Sequence, residues 1–180
     1  MGLDLSRLCV LVVDDNAYMR LIIKEILRSL GVGAIREAVD GADALKLMRV
    51  LPADIVIADL DMNPLDGLEM ARLLRTSKDS PNPFVPIIML TGHTEAHRVA
   101  EARDAGVNEF LAKPISVRGL YSRIREVVQR PRLFVRAKHY VGPDRRRRDA
   151  DPGKLGFPDR RRATTPSLDQ TPEATSKQPG

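Results

Sequence analysis

Asp14 and Asp15 stand side by side after one apolar run, Cys9–Val13, and a third carboxylate, Asp59, closes another, Ile55–Ala58. Thr91 follows Ile87–Leu90, and Lys113 follows Phe110–Ala112. Short unbroken apolar runs separated by helix-patterned segments read as buried strands of a parallel sheet. In such a sheet the carboxyl ends of the strands share an edge, and ligands bind in the crevice there. The spacing therefore brings three carboxylates, a hydroxyl and an ammonium to one small pocket.

Paired carboxylates after a strand can do no more than cap a helix and meet its dipole. Asp59, at the end of a second central strand, changes that reading. Three carboxylates at one edge repel and raise one another's pKa. A divalent cation relieves the repulsion, and oxygen-only ligands suit Mg²⁺, which takes one or two carboxylates and fills its remaining positions with water and phosphate oxygens. Asp14, Asp15 and Asp59 are the candidate metal ligands. An incoming phosphoryl group would complete the site, with Asp59 as nucleophile forming an aspartyl phosphate. Lys113 supplies a cation from the opposite side, Thr91 donates its hydroxyl to a phosphoryl oxygen, and Gly92 leaves room for the approach. Thr is common in strands and Lys on surfaces; it is their joint occurrence at four strand ends that carries the chemistry.

The segments between the runs supply the scaffold. Met19, Ile22, Ile23, Ile26, Leu27 and Leu30 follow helical spacing, and Gly31 is a plausible stop. Ala34–Val39, interrupted by Arg36 and Glu37, suits an edge strand. Asp40 caps a second helix with Ala44, Leu45, Met48 and Leu51 on its apolar side, bounded by Pro52. A third helix spans roughly Asp66–Arg75. A fourth, near Glu95–Ala105, has only the modest stripe Ala96, Val99, Ala100. Ser116 caps a fifth, with Val117, Leu120, Tyr121, Ile124 and Val128 facing inward. The strand–helix alternation repeats five times and ends near Arg130, which defines a doubly wound α/β domain.

With these pieces in place, the chain resembles the receiver domain of two-component response regulators over residues 7–130. The resemblance rests on Val12-Val13-Asp14-Asp15-Asn16, Asp54-Ile55-Val56-Ile57-Ala58-Asp59, Met62 with Leu65-Asp66-Gly67, Leu90-Thr91-Gly92 and Phe110-Leu111-Ala112-Lys113-Pro114. It implies a flavodoxin-like five-stranded parallel sheet of order 2-1-3-4-5 with five flanking helices. It implies phosphotransfer to Asp59 from a sensor histidine kinase or a histidine phosphotransfer protein. By motif position, Asp14 and Asp15 are the Mg²⁺ pair and Asp61 gives a backbone carbonyl as a further ligand. The same resemblance makes Lys113-Pro114 a cis peptide that aims the lysine inward, and Thr91 with Phe110 the switch pair. Where the family usually reads Met-Pro, this chain has Met62-Asn63-Pro64, but the loop length to Asp66-Gly67 is unchanged. Asp61 and His93 flank the site, where they can influence the water that hydrolyses the phosphate; His93 reads as a solvated loop residue.

The resemblance also sets the expected output. The sparsely apolar fourth helix, with the fifth strand and fifth helix, is the face expected to change and to bind a downstream protein. No second folded output domain is visible, so the reading is a stand-alone, chemotaxis-type receiver. It acts by partner binding or phosphorelay and is no enzyme beyond its own phosphotransfer and dephosphorylation.

Composition divides the chain in two. Residues 1–130, the domain, hold 17 Lys and Arg against 18 Asp and Glu, whereas residues 131–180 hold 12 against 6 and seven of the 13 prolines. The basic pI near 9.7 belongs to this Pro/Arg-rich tail. The tail reads as largely disordered, with only Leu133–Val141 apolar enough to pack back on the domain. It repeats Pro143-Asp144-Arg145-Arg146-Arg147 as Pro158-Asp159-Arg160-Arg161-Arg162, a pattern suited to a partner that recognises a peptide twice. A nucleic-acid role for the arginines is disfavoured by the interspersed Asp144, Asp149, Asp151 and Asp159 and by only two neighbouring aromatics, Tyr140 and Phe157. An RNA- or DNA-binding regulator is one alternative function, and a Mg²⁺-dependent phosphatase is the other; the latter would need an acid/base and substrate pocket that the sequence does not offer. Cys9, the single cysteine, excludes an internal disulfide and reads as a small buried hydrophobe. No leader and no membrane-spanning run is recognised, so a cytoplasmic location is expected.

Overall fold

The computed structural model describes residues 3–92, 96–137 and 140–144, without the side chains of 96 and 97. All of these fall within one compact unit, Met1–Arg145. Its elements are β1 Cys9–Val13, α1 Ala17–Ser29, β2 Ala34–Ala38, α2 Gly41–Val50, β3 Ile55–Asp59, α3 Gly67–Thr76, β4 Ile87–Thr91, α4 Ala96–Asp104, β5 Glu109–Ala112 and α5 Val117–Gln129. The five strands are parallel in the order β2-β1-β3-β4-β5, as the resemblance implies. The charged-interrupted strand β2 takes an edge.

Strand alternation explains the two cores. Leu11, Val13, Val56, Ala58, Ile87 and Met89 face one way, onto Ala44 and Met48 of α2 and Leu68, Ala71 and Leu74 of α3. Val10, Val12, Ile55, Ile57, Ile88 and Leu90 face the other, onto Ile23 and Leu27 of α1 and Leu120 and Ile124 of α5. Each fully buried Leu, Ile or Val contributes about 1.5–3 kcal/mol, so both faces of the sheet are held down before any polar group is placed.

Helix starts follow their caps. Asn16 accepts from the N–H groups of Tyr18 and Met19, Asp40 from Asp43, Asp66 from Glu69 and Ser116 from Gly119. Three expected inward positions prove to lie outside. Val117, in the first turn after the Ser116 cap, is 49% exposed, and the inner face of α5 is completed by Val127 instead. Leu51 lies past the end of α2 and is 43% exposed. In α4 Ala100 is exposed and Ala102 is buried, because the helix is turned from the stripe expected of it. Cys9 is only half-buried.

Beyond α5 the chain forms an antiparallel hairpin, β6 Phe134–Ala137 and β7 Tyr140–Pro143. A charged residue of α3 anchors it. Arg75 is 1% exposed, and its guanidinium donates to the carbonyl oxygens of Gly106 (3.1 Å), Pro83 (2.9 Å) and Val85 (2.8 Å) and to Asn108 Oδ1 (3.2 Å). The Phe134 ring covers it at 5.0 Å and meets Phe84 edge-on. Burial lowers the Arg75 pKa to about 10, so it stays cationic at neutral pH. Gly106 (φ +85°) and Gly142 let the two segments touch: a Cβ on Gly142 would come within 2.8 Å of the Gly106 Cα. Arg132 pairs with buried Glu109 at 2.8 Å.

Replacing Arg75 by Ala would strand those buried oxygens, each charge-assisted bond being worth about 1.5–3 kcal/mol. Arg75→Ala should cost roughly 3 kcal/mol or more in urea unfolding, and amide exchange should show residues 134–137 and 140–142 losing protection.

Candidate functional site

The carboxyl edge of the sheet gathers the predicted side chains. Asp14 and Asp15 follow β1, Asp59 ends β3, Thr91 ends β4 and Lys113 follows β5. The register sets β1 beside β3 and β3 beside β4, so the acidic residues become neighbours through backbone pairing alone. One carboxylate oxygen from each of Asp14, Asp15 and Asp59 lies within 4.8 Å of the others. Asp14 is fully buried and Asp59 is 7% exposed, whereas Asp15 faces solvent.

The two buried carboxylates are held by backbone donors. Asn16 N–H donates to Asp14 Oδ1 at 2.8 Å, and Leu60 N–H donates to Asp59 Oδ1 at 2.8 Å. The amine of Lys113 lies 2.9 Å from Asp59 Oδ2 and 3.5 Å from Asp14 Oδ2. The Lys113–Pro114 peptide is cis, and so is Asn63–Pro64 in the loop that departs from the family pattern. Lys113 N–H donates to the Thr91 carbonyl at 2.9 Å, tying β5 to the residue that ends β4.

The electrostatics of the edge are unbalanced. Burial raises the Asp59 pKa above the usual carboxylate range and the Asp14 charge adds to this, although Lys113 and the Leu60 N–H oppose it. Burial by itself would lower the Lys113 pKa, but Asp59 and Asp14 together outweigh it and the net shift is upward. A base with a raised pKa contributes stability that is complete below its unfolded value and is lost only as pH climbs through the folded one. The lysine is therefore cationic throughout the physiological range. For Asp59 the sign reverses: its ionised form is disfavoured by folding, so charge on it costs stability at neutral pH. Three oxygen donors at this separation, with excess negative charge, fit a hard divalent cation.

Several contributors escape a reading of the sequence. Arg20 donates from Nη1 to the Asp14 carbonyl at 2.8 Å and pairs with Glu37. Arg98 of α4 forms an ion pair with Asp61. Arg20–Glu37 and Arg98–Asp61 span 17 and 37 residues and leave no local pattern. Gly67 is legible only as part of a motif: a Cβ there would lie 2.2 Å from the Asp59 carbonyl oxygen, so glycine lets α3 start directly against the strand end. Phe110 is half-buried and borders a void too small for a water molecule with Leu60, Met89, Thr91, Arg98 and Val99. His93 lies outside the described residues.

A parallel sheet of this order, with an acidic triad and a lysine at its carboxyl edge, defines a phosphoacceptor signalling module. Residues 10–125 match the model of the response regulator receiver domain, and the chain belongs to that family. The chemotaxis protein CheY of Pseudomonas aeruginosa is 33% identical over 121 residues, 67% of this chain and 96% of that protein. Among solved structures, Vibrio cholerae chemotaxis protein CheY4 superposes with a TM-score of 0.62 at 29% identity, over 67% of this chain and 98% of its own. A Saccharomyces cerevisiae receiver domain, crystallised with a histidine phosphotransfer protein, superposes with a TM-score of 0.60 at 25% identity, over 68% and 89%. The protein is thus a phosphorylation-switched signalling protein, taking part in its own phosphorylation and dephosphorylation rather than turning over an external substrate.

Two outcomes test the geometry. Gly67→Ala should destabilise the domain by about 1–3 kcal/mol in chemical denaturation, because backbone must yield to the new Cβ. Asp59→Asn, which removes the disfavoured charge, should melt above the wild type in chelator, and added Mg²⁺ should narrow or reverse the gap.

Proposed function

We propose that Asp59 is the phosphoacceptor, that Lys113 and Thr91 assist the transfer, and that Asp14, Asp15, Asp59 and the Asp61 backbone carbonyl hold Mg²⁺. The single observation that carries this reading is the Asp14–Asp15–Asp59 oxygen cluster with the Lys113 amine 2.9 Å from Asp59. When bound, the cation would neutralise charge on the transferring group. The Asp59 carboxylate attacks the phosphorus of a phosphohistidine; a P–O bond forms as the P–N bond breaks, and the imidazole leaves with its electron pair and takes up a proton. Lys113 then faces the new dianion, and the Thr91 hydroxyl donates to one of its oxygens. Thr91 and Phe110 border one void, which supports their moving together as the switch.

The donor is a sensor histidine kinase or a histidine phosphotransfer protein, a choice supported by the yeast receiver's crystallised partner. Output is assigned to the face of α4, β5 and α5. Of these, α4 has only Ala102 fully buried among its described side chains, which suits an element whose position is to change. The repeated Pro-Asp-Arg-Arg-Arg motif is assigned to a further protein partner. No helix among the described residues is long and apolar enough to cross a membrane, which supports a cytoplasmic setting.

Acetyl phosphate with Mg²⁺ should add one phosphoryl group to the wild type, seen by intact-protein mass spectrometry, and none to Asp59→Asn. Asp14→Asn and Asp15→Asn should weaken Mg²⁺ binding about tenfold or more, each removing one charged ligand. Continuous turnover of a phosphomonoester without a labelled aspartate would instead make the protein a phosphatase.

A further inference from the structure

We propose that Arg98 reads the phosphoryl group and transmits its arrival to α4. The inference rests on Asp59 being the phosphoacceptor. Asp61 lies two residues beyond Asp59, on the loop leaving β3, and its carboxylate is ion-paired with the Arg98 guanidinium. The Arg98 side chain is 28% exposed and that of Asp61 57%. This pair is therefore solvated and readily exchanged, as surface pairs are. Arg98 also borders the void shared by Thr91 and Phe110, so one side chain touches both the acceptor loop and the switch space.

The acceptor edge gives the guanidinium a reason to move. Lys113 is already engaged by Asp59 and Asp14, and Arg20 is committed to Glu37 and the Asp14 carbonyl. A phosphoryl group on Asp59 adds about −1.5 to −2 charges and three strong acceptor oxygens. The planar fork of an arginine matches carboxylate and phosphate alike with two parallel N–H bonds, so the larger charge and additional oxygens of the phosphoryl group decide which of the two it engages. Arg98 then turns from Asp61 to the phosphoryl oxygens. Since its backbone belongs to α4, whose apolar hold on the core is slight, the helix follows. Its withdrawal from the wall of the void loosens the packing around Phe110 and Thr91. Without the phosphoryl group, the pair with Asp61 holds α4 in its resting place.

The test compares wild type, Arg98→Ala and Asp61→Asn in the full chain, labelled with acetyl phosphate and Mg²⁺. Amide hydrogen exchange of residues 96–104 is followed with and without the phosphoryl group, at equal labelling of Asp59 by mass. Both variants break the resting pair, so both should exchange faster than wild type when unlabelled. Labelling should restore protection in Asp61→Asn, where the guanidinium is free to reach the phosphoryl group, and should lose most of its effect in Arg98→Ala. Equal behaviour of the two variants in both states would reduce Arg98 to a structural tie and overturn the proposal, as would a wild-type response in Arg98→Ala. A wild type that takes no label on Asp59 would instead overturn the phosphoacceptor assignment.

Discussion

Three carboxylates crowded against one amine set the terms for everything else at the carboxyl edge. The sheet forces the crowding, because β1 and β3 are adjacent, β3 ends in Asp59 and β1 is followed at once by Asp14 and Asp15. Backbone N–H groups and Lys113 offset part of the repulsion, but Asp59 remains harder to ionise than an ordinary aspartate. A site left short of positive charge is one that gains from a cation and from a ligand that brings the cation's remaining coordination with it. Instability of this kind persists only where the surrounding core overdetermines it, and here two fully apolar faces do so.

The same arrangement explains how a small chemical event reaches a surface. The charged group sits at the ends of four strands, and each strand end begins a loop into a helix. Helices α1, α2, α3 and α5 are each bolted down by two or more fully buried side chains, whereas among the described side chains of α4 only the small Ala102 is. Differences in apolar anchoring thus decide which helix can answer the switch. Coupling needs no special pathway when one element is loosely held and its polar tie lies next to the reacting group.

Much of this was legible in the sequence because it depends on local pattern. Runs such as Ile55–Ala58 mark strands by their unbroken apolarity, and Asp40 and Ser116 announce helix starts by their hydrogen-bonding chemistry. The acidic cluster was legible because strand ends converge in any sheet of this kind. Val117 and Ala100 were misplaced because helical spacing fixes a stripe but not its rotation against the sheet, and a first-turn residue can fall beyond the core. Arg98 and Arg75 were invisible for another reason. A charged residue in a helix reads as solvated unless the partner that buries or binds it is known; Asp61 lies 37 residues from Arg98, and Gly106 lies 31 from Arg75. The hairpin is hard to read from the sequence because its apolar residues are few, and what secures it is contributed mostly by α3 and the turn at Gly106.

That anchorage has a consequence for how the protein behaves in solution. Among the described residues no carboxylate pairs with the Arg75 guanidinium; carbonyl dipoles, an amide oxygen and an aromatic face answer it instead. Ionic strength weakens interactions between solvated charges, most of all those farther apart than a Debye length, ~8 Å at physiological salt, but has little purchase on a buried cation held by neutral groups. High-salt buffers that strip an acidic ligand from the exposed arginines should therefore leave β6 and β7 seated, and washing conditions become a means of separating what the domain keeps from what it merely attracts.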